Sequence, residues 1–89
     1  MLQQDALIIN KLGMHARASA KISQLASQYP CEVWLTRNGR RVNAKSIMGV
    51  MMLAAGKGAT VTIETDGADA EAALAAVREL IADKFGEGE

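Results

Sequence analysis

Polar and apolar positions alternate with two different periods along this chain, and the switches between them mark its elements. Ala6-Leu7-Ile8-Ile9 is an apolar run between polar Asp5 and Asn10, too short for a helix, and it predicts a first strand. Gly13 then marks a turn. From Ala16 to about Ser27, Ala18, Ile22, Leu25 and Ala26 recur at helical spacing, while Arg17, Lys21, Gln24 and Gln28 occupy other faces. Tyr29-Pro30 ends that helix, because the residue before a proline is pushed out of the helical region. Glu32 to Thr36 alternates, with Val33 and Leu35 on one side of a second strand. Asn38-Gly39 is a tight-hairpin pair, so Arg41 to Ala44 is expected to return antiparallel beside it. Ser46 opens a short helix through about Leu53, which Gly56-Lys57-Gly58 stops. Thr60 to Thr65 is the clearest alternating strand, closed by Asp66-Gly67. Ala70, Ala73, Leu74, Val77, Leu80, Ile81 and Phe85 form one apolar stripe of a last helix, and Gly86-Glu87-Gly88-Glu89 is expected to be a frayed tail.

The order is therefore strand, helix, strand, strand, helix, strand, helix. The later strands are apolar on one face and polar on the other, which predicts an α+β open-faced sandwich: a sheet covered by helices on one face and open to water on the other. No linker or repeat interrupts the 89 residues, so a single domain over 1–89 is expected. A chain this short buries somewhat over ~60% of its unfolded surface, enough for a self-sufficient fold. With aromatics at 3%, that core must be aliphatic.

Composition narrows the function mainly by exclusion. Cys31 is the only cysteine, so no intrachain disulfide forms, and a reducing, cytoplasmic setting is the simplest expectation. The start lacks the basic and apolar regions of a signal peptide, and no stretch approaches the ~20 apolar residues of a membrane span. One His and one Cys are too few for a zinc site, and Gly56-Lys57-Gly58 is too short for a phosphate-binding loop, so no cofactor is expected. The basic run Arg37-Asn38-Gly39-Arg40-Arg41 raises a nucleic-acid module. A net charge of zero with one Trp and one Tyr supplies neither the field nor the stacking platform such modules use, so the run reads as a solvated hairpin tip.

One residue carries candidate chemistry. The only histidine, His15, stands where the first turn ends and the first helix begins. A helix N-terminus presents unpaired N–H groups and partial positive charge, so a phosphoryl group on His15 would meet the amides of Ala16 and Arg17, with the Arg17 guanidinium as a charge-assisted donor. An imidazole nitrogen can attack phosphorus, and the resulting N–P bond leaves readily once the ring is protonated. A lone histidine at this position also reads as a solvated surface residue or a simple cap.

Lys11-Leu12-Gly13-Met14-His15-Ala16-Arg17 resembles the active-site segment of the HPr family, the histidine phosphocarriers of the phosphoenolpyruvate phosphotransferase system. Asn43-Ala44-Lys45-Ser46-Ile47-Met48-Gly49-Val50-Met51 is similar to that family's regulatory serine region, and the likeness runs from about Leu2 to Phe85. The resemblance implies a four-stranded antiparallel sheet with three helices on one face, in the order βαββαβα. It implies a carrier rather than a stand-alone enzyme, taking phosphate from phosphorylated Enzyme I onto the δ1 nitrogen of His15 and passing it to Enzyme IIA domains. In part of the family, the serine matching Ser46 is phosphorylated by a dedicated HPr kinase/phosphorylase. The motif departs from the family in Ala18 and Ser19, where Pro and Ala are usual; Ser19 also reads as a solvent-facing or backbone-bonding helix residue. Two alternatives stay open: the nitrogen-related phosphocarrier branch, and a regulatory docking homologue, which typically lacks the histidine.

Ser46 is equally a helix cap, since serine is favoured where a helix begins. Met48, Met51 and Met52 crowd one short helix with Ile47, and Met suits surfaces that fit more than one partner. Ile47, Met48 and Met51, rimmed by Arg17, Lys21 and Lys45, are the expected docking surface, with Val50 and Leu53 facing inward. The protein is expected to be a monomer.

Overall fold

The computed structural model describes residues 1–88 and contains the seven expected elements in the expected order. They are β1 (Leu2–Leu7), α1 (Ala16–Ala26), β2 (Glu32–Arg37), β3 (Arg40–Asn43), α2 (Ile47–Met51), β4 (Thr60–Asp66) and α3 (Ala70–Ala82). The strands form one antiparallel sheet in the order β1-β4-β2-β3. Val33, Leu35, Val61 and Ile63 all point to one face, where Ala18, Ile22 and Ala26 of α1, Val50 of α2, and Ala73, Val77 and Ile81 of α3 cover them. Removing each such aliphatic side chain from water contributes about 1.5–3 kcal/mol, which is why the alternation read along β2 and β4 fixes the sheet's orientation. The opposite face stays polar. There the Arg41 guanidinium stacks over Trp34 at 4.1 Å and bonds Glu64 at 3.3 Å. No helix among the described residues is long and apolar enough to cross a membrane.

Four details differ from the sequence reading, most of them because a distant segment supplies what the local pattern lacks. First, β1 runs from Leu2 to Leu7, starting four residues before Ala6 and leaving Ile8 and Ile9 beyond its end. Its polar residues Gln3, Gln4 and Asp5 are held by backbone pairing to Glu64, Ile63 and Thr62 of β4, not by their own burial. Second, α2 stops at Met51, short of Leu53, and the chain leaves it through Ala54 at φ 51°. Third, the basic hairpin is more than a solvated tip. Asn38 and Gly39 both have positive φ, as a type I′ turn requires, and this aims the flanking arginines back at α2. Arg37 Nη1 donates to the Leu53 carbonyl at 3.0 Å and Arg40 Nη1 to that of Met52 at 3.2 Å, satisfying carbonyls at the negative end of the helix.

The fourth difference is at the C-terminus, where α3 ends at Ala82. Lys84, Phe85 and Gly86 all take left-handed backbone conformations, at φ 55°, 55° and 75°. Phe85 is fully buried from within this turn rather than from the helical stripe. A left-handed residue other than glycine costs about 1–2 kcal/mol, and burial of the Phe85 ring, worth about 1.5–3 kcal/mol, offsets much of that. Lys21 of α1 adds a bond from Nζ to the Phe85 carbonyl. The tail is consequently not frayed through Glu87: the chain reverses and Glu87 lies against the start of α1. Glu89 lies outside the described residues.

Candidate functional site

The approach to α1 is held from below. Asn10, fully buried, donates from Nδ2 to the Gly13 carbonyl at 2.8 Å, and the Met14 amide donates to the Ala55 carbonyl at 2.9 Å. Gly13 sits at φ 65°, and a Cβ there would lie 2.7 Å from both the Ala55 oxygen and the Gly56 Cα. Only glycine combines that dihedral with that approach. The contact seats the 10–15 segment on the segment leaving α2, so His15 and α2 share one side of the molecule.

His15 is the N-cap residue of α1. Its carbonyl accepts from the Ser19 amide at 2.8 Å, but its side chain caps nothing. The amides of the first turn, those of Ala16 and Arg17 included, therefore have no side-chain acceptor from the cap. The start of α2 is the opposite case: Ser46 Oγ accepts from the Gly49 amide at 3.1 Å, which is the capping geometry expected of it. One helix start is closed and the other is open to an anion. Ser19 is buried and bonds the Met14 carbonyl at 3.1 Å, the backbone-bonding role and not the solvent-facing one.

Around His15 lies an open depression of about 620 Å³ lined by Lys11, Leu12, His15, Arg17, Lys21, Gly86 and Glu87. Three cations and one carboxylate make it favourable to a phosphoryl dianion. Arg17 is exposed and has no ion-pair partner among the described residues. Lys21 Nζ is tied to the Phe85 carbonyl, and Lys45 Nζ donates to the Tyr29 carbonyl at 2.8 Å. Ile47, Met48 and Met51 are exposed, Met48 at 69%, while Val50 and Leu53 are buried as their spacing predicts. α1 packs on α2, the helix that carries this apolar patch. Among the described residues no group of His, Cys, Asp and Glu is placed to hold a metal ion.

Sequence reasoning missed Lys11, Asn10 and Glu87. Glu87 is the most consequential: its Oε1 accepts from Asn10 Nδ2 at 3.0 Å and its Oε2 pairs with His15 Nε2. The Asn10 amide, and then the His15 bond, hold the Glu87 carboxyl below the usual carboxylate range against the opposing effect of desolvation. A depressed value means the ionised contact is present above the ordinary carboxylate pKa and is lost as pH falls through the folded one. Nothing local signals this role, since Gly-Glu-Gly-Glu has the composition of a loose tail.

Known proteins resemble both the sequence and the fold. The family model described as PTS HPr component phosphorylation site matches residues 2–83. The phosphocarrier protein HPr of Cupriavidus necator is 65% identical, over all of this chain and all of its own. Phosphocarrier protein NPr of Shewanella violacea is 41% identical, over 97% of this chain and 94% of its own. A crystal structure of HPr-C-His from Thermoanaerobacter tengcongensis superposes with a TM-score of 0.94 at 41% identity, covering 98% of each chain.

Proposed function

The chain belongs to the HPr family of phosphocarriers, and we propose that His15 is its phosphoryl acceptor, loaded by phosphorylated Enzyme I and unloaded onto Enzyme IIA domains in the cytoplasm. The observation that carries this reading is the uncapped start of α1 beneath an imidazole that stands in a depression with Lys11, Arg17 and Lys21. The Nδ1 lone pair attacks the phosphorus carried by phosphorylated Enzyme I. The donor's bond to phosphorus breaks with its electron pair returning to the donor atom, and the new N–P bond forms on His15. Unloading is the same exchange in reverse.

The residues nearby need to supply only modest stabilisation, since a carrier must release its cargo. First-turn amides with the helix dipole contribute about 0.3–1 kcal/mol at an exposed site, and the Arg17 guanidinium a charge-assisted bond of about 1.5–3 kcal/mol. No metal is required for charge compensation of that size. The direct test is the intact mass after incubation with phosphoenolpyruvate and Enzyme I, before and after brief acid. One added phosphate that acid removes supports the carrier, and no added phosphate with donors of either branch rejects it.

Arg17→Ala is expected to slow loading roughly tenfold, equivalent to about 1.4 kcal/mol, in rapid-quench measurements at unchanged melting temperature. An unaltered rate would remove Arg17 from the site.

Docking falls to Ile47, Met48 and Met51, with the cations of the rim facing an acidic partner surface. We read Ser46 as both cap and regulatory site. Phosphate there, added by an HPr kinase/phosphorylase, places two negative charges beside the docking patch while leaving α2 capped. Ser46→Asp keeps a capping oxygen, so an unchanged thermal midpoint is expected with about tenfold weaker binding to Enzyme I by calorimetry. Equal affinity of the two forms would contradict the regulatory reading. The 65% identity to a relative named HPr, against 41% to one named NPr, favours the sugar branch.

A further inference from the structure

We propose that Glu87 is a positioning residue for phosphoryl transfer: fixed by Asn10, it holds the proton on His15 Nε2 and so keeps the Nδ1 lone pair available to attack. The inference rests on the carrier reading of His15 but concerns a residue beyond the 2–83 segment that the family model matches.

The geometry determines the direction of every bond in the chain. Asn10 Nδ2 donates both to the Gly13 carbonyl at 2.8 Å and to Glu87 Oε1 at 3.0 Å, so its amide can point only one way. An ionised carboxylate only accepts hydrogen bonds. Its second oxygen, Oε2, faces His15 Nε2, which must therefore be the protonated nitrogen of the neutral ring. The remaining nitrogen, Nδ1, keeps its lone pair. After transfer the Nε2 proton stays in place, so the ring on the new N–P bond is the protonated form, and Glu87 balances its charge.

The tail is built to hold that position. Phe85 is fully buried, Lys21 Nζ grips its carbonyl, and the Gly86 and Glu87 amides donate to the Asp83 and Lys84 carbonyls, each at 3.0 Å. The Glu87 side chain is only 16% exposed. The other charged groups facing the ring are Lys11, Arg17 and Lys21, all cations, none of which can accept the Nε2 proton.

Glu87→Gln gives this arrangement a test that a merely structural contact does not share. Asn10 still donates, and in Gln only the amide oxygen can accept, so the Gln NH2 turns toward Nε2. That nitrogen must then accept, the proton moves to Nδ1, and the nucleophile loses its lone pair. Phosphate loading by Glu87→Gln is expected to fall roughly tenfold or more, as losing a partner that orients a functional imidazole typically does. Glu87→Ala, which imposes no tautomer, is expected to lose less. Simple loss of packing gives the reverse order, since Gln preserves more contacts than Ala.

The experiment is rapid-quench loading from Enzyme I for the wild type and both variants, with 15N spectra of the unphosphorylated imidazole in alkaline buffer. Support is Nδ1 unprotonated in the wild type and protonated in Glu87→Gln, with Gln the slowest to load. Loading by Glu87→Gln as fast as by Glu87→Ala, or an unprotonated Nδ1 in Glu87→Gln, overturns the proposal. A wild-type protein that takes up no phosphate instead overturns the carrier reading, and the spectra still decide whether Glu87 sets the tautomer.

Discussion

The His15→Ala protein is expected to accept no acid-labile phosphate from Enzyme I, and the loss should be complete rather than partial. His15 is the only imidazole in the chain, so no second nitrogen can take over the N–P bond. The serine and threonine hydroxyls do not substitute, because their esters survive the acid that cleaves a phosphoramidate. The fold should be indifferent to the change. The His15 side chain is 28% exposed and caps no helix, and Glu87 keeps its bond from the buried Asn10 when the ring is gone. Intact mass with and without acid, beside a thermal melt of each protein, separates these effects. An acid-labile phosphate on the variant would place the acceptor elsewhere.

Gly13→Ala carries the largest expected cost to stability among changes at the site. The left-handed backbone there penalises any Cβ by about 1–2 kcal/mol. The new methyl would also sit 2.7 Å from the Ala55 oxygen and the Gly56 Cα, both backbone atoms that cannot swing aside. Forcing the two segments apart adds about 1–3 kcal/mol, as overpacking elsewhere does, for a total of about 2–5 kcal/mol. In a domain of this size that corresponds to a fall in melting temperature on the order of 10–40 °C. Gly39→Ala is the internal comparison. Gly39 has φ 79° but nothing within 4 Å of its missing Cβ, so it should show the dihedral penalty alone. Equal melting temperatures for the two variants would refute the close approach at Gly13. Because that approach also seats the start of α1, the Gly13→Ala protein should load phosphate more slowly even when folded.

In the proposed carrier, the open start of α1 is what lets a phosphoryl group on His15 be retained yet transferable. Closing it, as Ser46 closes α2, would satisfy the amides permanently and leave no preorganised donors for an arriving anion. The start of α1 is thus a helix terminus left without a side-chain cap, while α2 exposes the apolar side chains Ile47, Met48 and Met51.

The seven elements, their order and the sheet's inner face were legible along the chain, because each rests on neighbours a few positions apart. The period-2 alternation of Val33 and Leu35, and of Val61 and Ile63, is a local property, and so is the Asn38-Gly39 preference for a type I′ turn. The positions of His15, Arg17 and Ser46 at helix starts were legible for the same reason. What was not legible always involved a partner far away in sequence. The polar half of β1 owes its extended form to β4, the hairpin arginines find their acceptors at the end of α2, and Lys21 and Lys45 reach backbone carbonyls on other segments. Glu87 is the limiting case: 72 positions from His15, in a Gly-rich stretch that no periodicity marks, it acquires a direction only because the buried Phe85 anchors a left-handed turn. The sequence by itself determined which residues stand at helix starts and which faces are apolar, since short-range sterics and burial need no knowledge of the rest of the chain. Only the tertiary structure decided which nitrogen of His15 is held and by what, because a hydrogen bond between distant segments exists only once the core has brought them together.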